Sequence, residues 1–120
     1  MAKNIFQRAQ ISCLSAVVPK NEIRLADEFQ FFGGNPKKAQ RVTAMSGMES
    51  RRVAEEGVLP SDLCARAAEI LFNEMPLDRN TVDALIYAST HPDYPAPATA
   101  CCLQERLSLH KSSAAFDISQ

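Results

Sequence analysis

Apolar runs in the second half of the chain predict two buried strands. The run Ala84–Ser89 is almost continuously apolar, which is typical of a strand covered on both faces of a parallel sheet. Further on, apolar residues at 114–118 alternate around Asp117, and two of them are alanines small enough for a crowded position. This pattern predicts a second central strand, which ends just before Gln120.

Helical spacing predicts the elements that cover these strands. Pro60, Ser61 and Asp62 form a helix start, and Pro76 ends the apolar periodicity. Two apolar rows predict a wide stripe packed on a sheet: Leu63, Ala67 and Leu71, with Cys64, Ala68 and Phe72 beside them. A second helix is predicted to open at Pro97 or Ala98 and to run to Leu109. The order helix, strand, helix, strand indicates right-handed crossovers in a parallel sheet.

The first half of the chain carries weaker signals. Alternation at 9–13, within an apolar stretch that begins at Ile5, predicts a strand. Asn21 is predicted to cap a short helix that runs through Phe29. Phe31 and Phe32 are expected to pack on another element, because two exposed rings would be unfavourable.

A helix followed by an extended segment is predicted next. Helical spacing covers 37–45, with Ala39, Val42 and Met45 on one face, and Gly47 is suited to a left-handed C-terminal cap. Residues 48–54 are predicted to be extended and on the surface, with Arg51 and Arg52 interpreted as a solvated pair.

Composition narrows the class of protein. The chain has 120 residues, 46% of them hydrophobic, so one folded domain is expected rather than a disordered chain. Thirteen basic and 14 acidic residues give a net charge of −1, so no nucleic-acid partner is predicted. No apolar run long enough for a membrane span and no apolar signal region are present. Four cysteines without CxxC spacing predict neither a disulfide framework nor a metal site, which indicates a reduced, cytoplasmic α/β protein.

The residues that could carry chemistry do not form a recognisable site. Cys101 and Cys102 fall in the first turns of a helix, where the dipole lowers a thiol pKa, but a nucleophile also needs a base. His91 lies beyond a loop stiffened by prolines, and His110 lies at the far helix end. We therefore interpret both cysteines as small buried hydrophobes.

Two aspartates flank the predicted strands. Asp83 precedes the first strand and Asp117 lies within the second. We interpret each as an acceptor of local backbone hydrogen bonds, because aspartate side chains commonly bind nearby amides.

The ordered set of segments resembles the N-terminal part of a β-ketoacyl-acyl-carrier-protein synthase III, a thiolase-like condensing enzyme. The resemblance extends over the whole of 1–120 in order, and its counterpart motifs are T-G-I-x-x-R, V/I-D-x-I/L-I/V-x-A-T-T/S, P-S/A-A and A-F-D-I/V. The segments that carry it here are Ser46-Gly47-Met48 with Arg51-Arg52, the helix 61–75, the strand 82–90, Pro97, Gln104, and Ala115-Phe116-Asp117-Ile118. No single motif is decisive, but the order is fairly specific.

The resemblance implies both a fold and a reaction. The fold would be the N-terminal portion of a layered αβαβα domain, with a mostly parallel or mixed sheet and covering helices, so 1–120 would be an incomplete domain. The reaction would be decarboxylative Claisen condensation of an acyl thioester with malonyl-acyl-carrier protein through an acyl-cysteine. That cysteine is expected two residues beyond Gln120. The family's His and Asn come from its C-terminal half, so no catalytic residue is expected in this chain.

The resemblance also implies substrate and partner contacts. Arg41 and Met45 align with the coenzyme A entrance, where the family often has a Trp and an Arg, so priming by acetyl-CoA is in doubt. Ala96 aligns with a Phe that closes the partner's acyl pocket, which predicts a longer or bulkier acyl group unless Tyr94 takes that place. The implied partners are acyl carrier protein and an acyl-CoA or acyl-carrier substrate, without a cofactor. The loop Tyr94, Pro95, Ala96 and Pro97 would lie at a twofold homodimer interface.

Two alternatives remain open from the sequence. The chain could be a non-catalytic α/β interaction module, or the condensing fold could serve another acceptor, such as a hydroxyl or amine, or the chemistry of a hydroxymethylglutaryl-CoA synthase. A strand at the chain end would leave an apolar sheet face and an edge exposed. We therefore expect the isolated chain to self-associate or to be a remnant of a longer polypeptide.

Overall fold

The computed structural model describes residues 7–119 and confirms the predicted α/β class. Its regular elements are β1 (Asn21–Arg24), a 3₁₀ segment (Leu25–Phe32), α1 (Pro36–Ser46), β2 (Ser50–Val53), α2 (Pro60–Glu74), a 3₁₀ turn (Arg79–Thr81), β3 (Ala84–Ser89), α3 (Thr99–Arg106) and β4 (Ala114–Ser119). They form two compact units. The hairpin unit is Val17–Leu63, and the sheet unit holds the N-terminal segment up to Ala16 and the chain from Cys64 onward.

The sheet unit is built on the parallel pair of β3 and β4. Ala84 pairs with Ala114 at one end and Ser89 with Ser119 at the other, so the two strands run in register over their whole length. Ser113 donates its hydroxyl to the Val82 carbonyl and extends the pairing before the strands begin. The prediction of two adjacent parallel strands joined through a helix is therefore confirmed.

One face of this strand pair carries the core of the sheet unit. Tyr87 is only 5% exposed and packs with Leu85 and Ala115 against helical residues. The buried helical and loop members of that cluster are Ala65, Ala100, Leu103, Leu107 and Leu109. On α3 the buried residues fall at the spacing of one helical face, which is why α3 lies flat on the strands.

The opposite face of the strand pair is exposed, which corrects the prediction that β3 is covered on both faces. Ile86, Phe116 and Ile118 are 54%, 45% and 46% exposed. Ile86 pairs with Phe116 across the two strands. Ile118 pairs with Ala88 at the next position on the same face. The apolar run of β3 is real, but no described element covers this side.

The buried face of α2 is rotated from the predicted rows. Ala65 is buried and Ala68 and Phe72 pack against the core, whereas Cys64 is exposed. The core-facing row follows the helical offsets from Ala65, so the larger residues Leu63 and Leu71 are only half-buried.

Arg79 joins several elements of the sheet unit. Its guanidinium binds both oxygens of Glu69 on α2, at 3.2 and 2.7 Å, and donates to the Leu107 carbonyl at the end of α3. It also lies 4.3 Å from the centroid of the Phe72 ring. Gln104 adds two bonds of 2.9 Å, to the carbonyls of His110 and Ser113, which hold the connection between α3 and β4.

The hairpin unit consists of the antiparallel pair β1–β2, the 3₁₀ segment and α1. Asn21 pairs with Val53 and Arg24 with Ser50. Asn35 caps α1 by accepting from the Lys37 amide, and Gly47 ends it with φ 71°, so the predicted glycine cap is confirmed. The prediction of an extended segment around β2 is confirmed as well.

Three predictions for the first half are wrong. Residues 9–13 form no strand, because their alternation finds no partner strand among the described residues, and Ile11 is 90% exposed. Ile5 lies outside the described residues. The helix expected from Asn21 begins instead as β1, because pairing with β2 takes up its backbone groups. Phe31 is exposed, and only Phe32 is half-buried, since the 3₁₀ segment directs just part of its surface inward.

Two further surface predictions need correction. Arg51 and Arg52 are exposed, but both form ion pairs. Arg51 binds Glu28 in a bidentate ion pair, and Arg52 forms an ion pair with Glu22 at 3.1 Å. On α1, Ala39 faces inward, but Met45 of the predicted apolar face is largely exposed, because the small hairpin unit covers only a narrow stripe of the helix. Among residues 7–119, no helix combines the length and apolarity that a bilayer crossing requires.

Candidate functional site

The carboxyl ends of β3 and β4 form an open depression of about 300 Å³. It is lined by Ala88, Ser89 and Thr90 from the end of β3 and by Ile118 from the end of β4. In open α/β sheets, ligands commonly bind beyond the carboxyl ends of the strands. This edge is therefore the candidate site in the sheet unit.

Asp117 links this edge to the start of α3. Its two carboxylate oxygens accept from the Thr99 and Ala100 amides, each at 2.7 Å. These are the first two residues of α3, whose N-terminal amides lack partners within the helix. A carboxylate at this position is favoured both by charge-assisted hydrogen bonds and by the helix dipole.

The position of Asp117 corrects its interpretation from sequence. It does bind backbone amides, as expected. These amides belong to the start of α3, 18 and 17 residues earlier in the chain, rather than to its own neighbours. A carboxylate inside a strand that is otherwise apolar was the available signal, because a charge is rarely placed there without a partner. The partner itself follows only from the tertiary fold. No side-chain hydrogen bond is described for Asp83, so its predicted role stays a prediction.

Buried oxygen atoms without a hydrogen-bond partner lie around the same edge. The Tyr87 hydroxyl, the Thr99 hydroxyl and one Asp93 oxygen are in this state among the described residues. Tyr87 is in register with Asp117, and burial raises the pKa of its phenol. Although Cys64 is exposed as a residue, partial desolvation of its sulfur, followed by the negative charge of Asp93, raises the pKa of its thiol, so this thiol is not activated as a nucleophile.

The loop between β3 and α3 presents the predicted dimer-loop residues to solvent. Tyr94, Pro95, Ala96 and Pro97 are all exposed. At its start, the Ser89 hydroxyl donates to the His91 carbonyl and accepts from the His91 amide, which fixes the first turn. The loop is thus ordered at both ends and exposed in the middle, as a contact loop would be.

Arg41 and Met45, the predicted coenzyme A contacts, lie one helical turn apart on α1 in the hairpin unit. Both are exposed, and Met45 is 81% exposed. The hairpin unit also has a cleft of about 460 Å³, and its lining excludes both residues. That lining consists of Glu22, Arg24, Ala26, Gln40, Thr43, Ala44, Glu49 and Ser50. Arg41 and Met45 thus share a helix surface but not this cleft.

The cysteines and histidines of the sheet unit do not form a catalytic pair. Cys101 and Cys102 are exposed rather than buried, since α3 turns Thr99, Ala100 and Leu103 inward. The Cys101 thiol contacts only the Ala115 carbonyl, while the imidazoles of His91 and His110 bond to their neighbours Thr90 and Ser112. Within residues 7–119 no group of three or more His, Cys, Asp or Glu side chains is arranged to hold a metal ion.

Comparison with known proteins shows which proteins the chain is similar to. A Campylobacter jejuni protein named as a 3-oxoacyl-[acyl-carrier-protein] synthase 3 is 34% identical over 119 residues, which is 98% of this chain and 34% of that protein. Over nearly its whole length, the chain is therefore similar to part of a 3-oxoacyl-acyl-carrier-protein synthase III. The resemblance found in the sequence is thereby confirmed, and the chain spans about a third of the length of this relative. No family model matches the chain.

Solved structures agree with this assignment. The crystal structure of a 3-oxoacyl-(acyl-carrier protein) synthase from Burkholderia xenovorans superposes with a TM-score of 0.79 at 31% identity, covering 89% of this chain and 31% of that one. OleA from Xanthomonas campestris reaches a TM-score of 0.76 at 19% identity, over 89% of this chain and 33% of its own. The OleA match supports the thiolase-like fold alone. Both neighbours confirm the fold class expected from the sequence.

Proposed function

We propose that the protein containing this chain is an acyltransferase that condenses an acyl thioester with malonyl-acyl-carrier protein, with loss of carbon dioxide, through an acyl-cysteine. The observation that supports this most is the geometry of the candidate edge. The A-F-D-I segment forms β4, and its Asp117 ties the end of that strand to α3 and the exposed loop. The nucleophilic cysteine would follow two residues after Gln120, at this edge, on a strand-to-helix turn of its own whose backbone amides would favour a thiolate.

The chain would contribute substrate selection rather than proton transfer. Ala96 is small and exposed, so it leaves room where the family's Phe would close an acyl pocket. We therefore propose a primer longer or bulkier than acetyl. Exposed Arg41 can meet a phosphate of coenzyme A, while Met45 supplies apolar contact without an aromatic platform for adenine.

The proposed partners follow from the same reaction. The acceptor is malonyl-acyl-carrier protein, the donor is an acyl-CoA or acyl-carrier thioester, and no cofactor is needed because the thioester supplies the activation. We propose a twofold homodimer in which the exposed loop Tyr94–Pro97 meets the partner subunit. A cytoplasmic location fits the free cysteines, none of which pairs with another.

The test is a condensation assay on the polypeptide as its gene encodes it. Acyl-CoA primers from acetyl to decanoyl are supplied with malonyl-acyl-carrier protein, and 3-oxoacyl product and carbon dioxide are measured. We expect product, with kcat/KM rising from acetyl to longer primers. The matched variant Ala96→Phe should shift the preference back toward acetyl, because its ring fills the space that Ala96 leaves.

Two results would contradict the proposal in different ways. Strict acetyl selectivity of the natural protein would rule out the open pocket but leave the reaction standing. Absence of product with every primer, together with tight binding of carrier protein, would favour the interaction-module alternative. Transfer to a hydroxyl or amine acceptor instead of malonyl would place another reaction on the same fold.

A further inference from the structure

The N-terminus of α3 is capped from a different strand. Ala98 stands at the N-cap position, and its side chain makes no capping hydrogen bond. Asp117 on β4 takes over that function with two bonds of 2.7 Å. Most helix caps are local and hold only their own helix. This one also joins the helix start to the strand.

The linkage fixes the exposed loop at its far end. Thr99 and Ala100 are fully buried, so the helix start cannot move without disturbing the core. The loop enters from β3, where Ser89 holds its first turn, and it leaves directly into the residues bound by Asp117. Pro92, Pro95 and Pro97 restrict the backbone between these anchors.

The two anchors belong to adjacent strands in register. Tyr87 of β3 lies beside Asp117 of β4, so the loop spans from one strand to the other across the candidate edge. The position of Ala96 relative to the end of β4 therefore depends on the Asp117 carboxylate. A displacement of about 1 Å at a reacting site is enough to change rates by on the order of a hundredfold.

We propose that Asp117 is a positioning residue that sets acyl-chain selectivity by fixing the start of α3 and so the loop Tyr94–Pro97, whose Ala96 is proposed to face the partner's acyl pocket. This inference rests on the proposed function. Asp117 touches neither substrate nor nucleophile in this account, and it acts through the start of α3. Its removal should alter the ratio of kcat/KM values for long and short primers rather than merely lowering both.

The experiment uses Asp117→Asn in the polypeptide as its gene encodes it. Asparagine keeps the shape and one acceptor oxygen but turns the second acceptor into a donor that faces an amide. We expect the ratio of kcat/KM for decanoyl-CoA and acetyl-CoA to change by about tenfold. Asp83→Asn makes the same chemical change just before β3 and should leave the ratio unaltered, because Asp83 is exposed at the opposite end of the strand.

Hydrogen exchange tests the linkage without any activity. The amides of Thr99 and Ala100 should exchange about tenfold faster in Asp117→Asn than in the natural protein, and Asp83→Asn should not change them. Unchanged exchange in Asp117→Asn would overturn the inference even if the enzyme is active. A natural protein without condensation activity but with the expected exchange would instead overturn the proposed function, and the selectivity role would fall with it.

A second variant separates positioning from simple capping and covers the case of poor folding. Ala98→Ser adds a local cap that can accept from the Ala100 amide without joining α3 to β4. In the double variant with Asp117→Asn, we expect thermal stability to recover while the selectivity ratio stays altered. A ratio that returns together with stability would show that Asp117 acts only as a cap, and would overturn the proposal.

Discussion

Different forces stabilise the two units of the chain. The sheet unit buries a cluster of six residues between α2, α3 and the strand pair, and its helices lie on a continuous apolar surface. The hairpin unit buries only two apolar residues, Leu25 and Ala39, and its paired strands are supported by ion pairs to Arg51 and Arg52. Because its apolar core is larger, the sheet unit is the part of the chain that apolar burial stabilises more.

This difference teaches where stability and chemistry reside. Apolar burial gains free energy in proportion to area, whereas exposed ion pairs are weakened by water and by salt. The candidate edge lies on the sheet unit, where Asp117 and the core restrain it from two sides. The predicted coenzyme A contacts lie on the hairpin unit, on an exposed face of α1. The positions of backbone and side chains are therefore most restrained at the candidate edge, where the reaction is proposed to occur.

The largest expected effect is in the core of the sheet unit. Leu103→Ala should lower the free energy of unfolding by about 2–5 kcal/mol, because Leu103 is 4% exposed and its removal leaves a cavity. Ile86→Ala on the exposed sheet face should cost about 1 kcal/mol, because roughly half of its surface is already in water. Urea unfolding measures both. Equal losses would mean that the exposed face is covered in solution, as self-association would do.

A smaller effect is expected at the end of α1 in the hairpin unit. Gly47 has φ 71°, and an added Cβ would meet no atom within 4 Å, so backbone strain is the only cost of a side chain there. Gly47→Ala should destabilise the unit by about 1 kcal/mol. Gly47→Asn should cost less, since asparagine tolerates the left-handed region. Hydrogen exchange of the α1 amides measures the effect, and equal rates for both variants would contradict this explanation.

The smallest effect concerns acid sensitivity of the hairpin unit. The hydrogen bond from Ser50, followed by the charge of Arg52, lowers the pKa of Glu22 below its ordinary value of about 4.3. A lowered carboxyl pKa means stability that is present above the ordinary value and lost as the pH falls through the lower, folded value. We expect β1–β2 amides to lose protection as the pH falls below the ordinary carboxyl value of about 4.3, and Glu22→Gln to lose less. The same acid response in Glu22→Gln would assign it to other groups.

Elements whose pattern lies within one short segment of the sequence are predicted well. The runs that became α2, β3, α3 and β4 carry their own periodicity, and the Gly47 cap follows from one residue's backbone freedom. The pairing of β1 with β2 depends on residues far apart in the chain, which is why the local sequence around Asn21 predicts a helix cap instead. Alternation at 9–13 had the pattern of a strand but no partner, and a strand requires one.

The candidate site was predicted less completely for the same reason. The prolines around Ala96 predict a stiff loop, and Ala96 and its neighbours are exposed in the structure. That Asp117 would bind the amides of Thr99 and Ala100 depends on the packing of α3 over β4, which periodicity does not encode. The exposure of Cys101 and Cys102 likewise depends on which face of α3 the core selects.

The most direct test of the central claim is the mass of the protein from its own gene after incubation with an acyl-CoA. Peptide mapping would then locate any acyl group. We predict one acyl group per chain, on a cysteine two residues beyond Gln120 and therefore at the end of β4. An acyl group on another residue, or no acylated protein with any primer, would contradict the assignment of a condensing reaction to this edge.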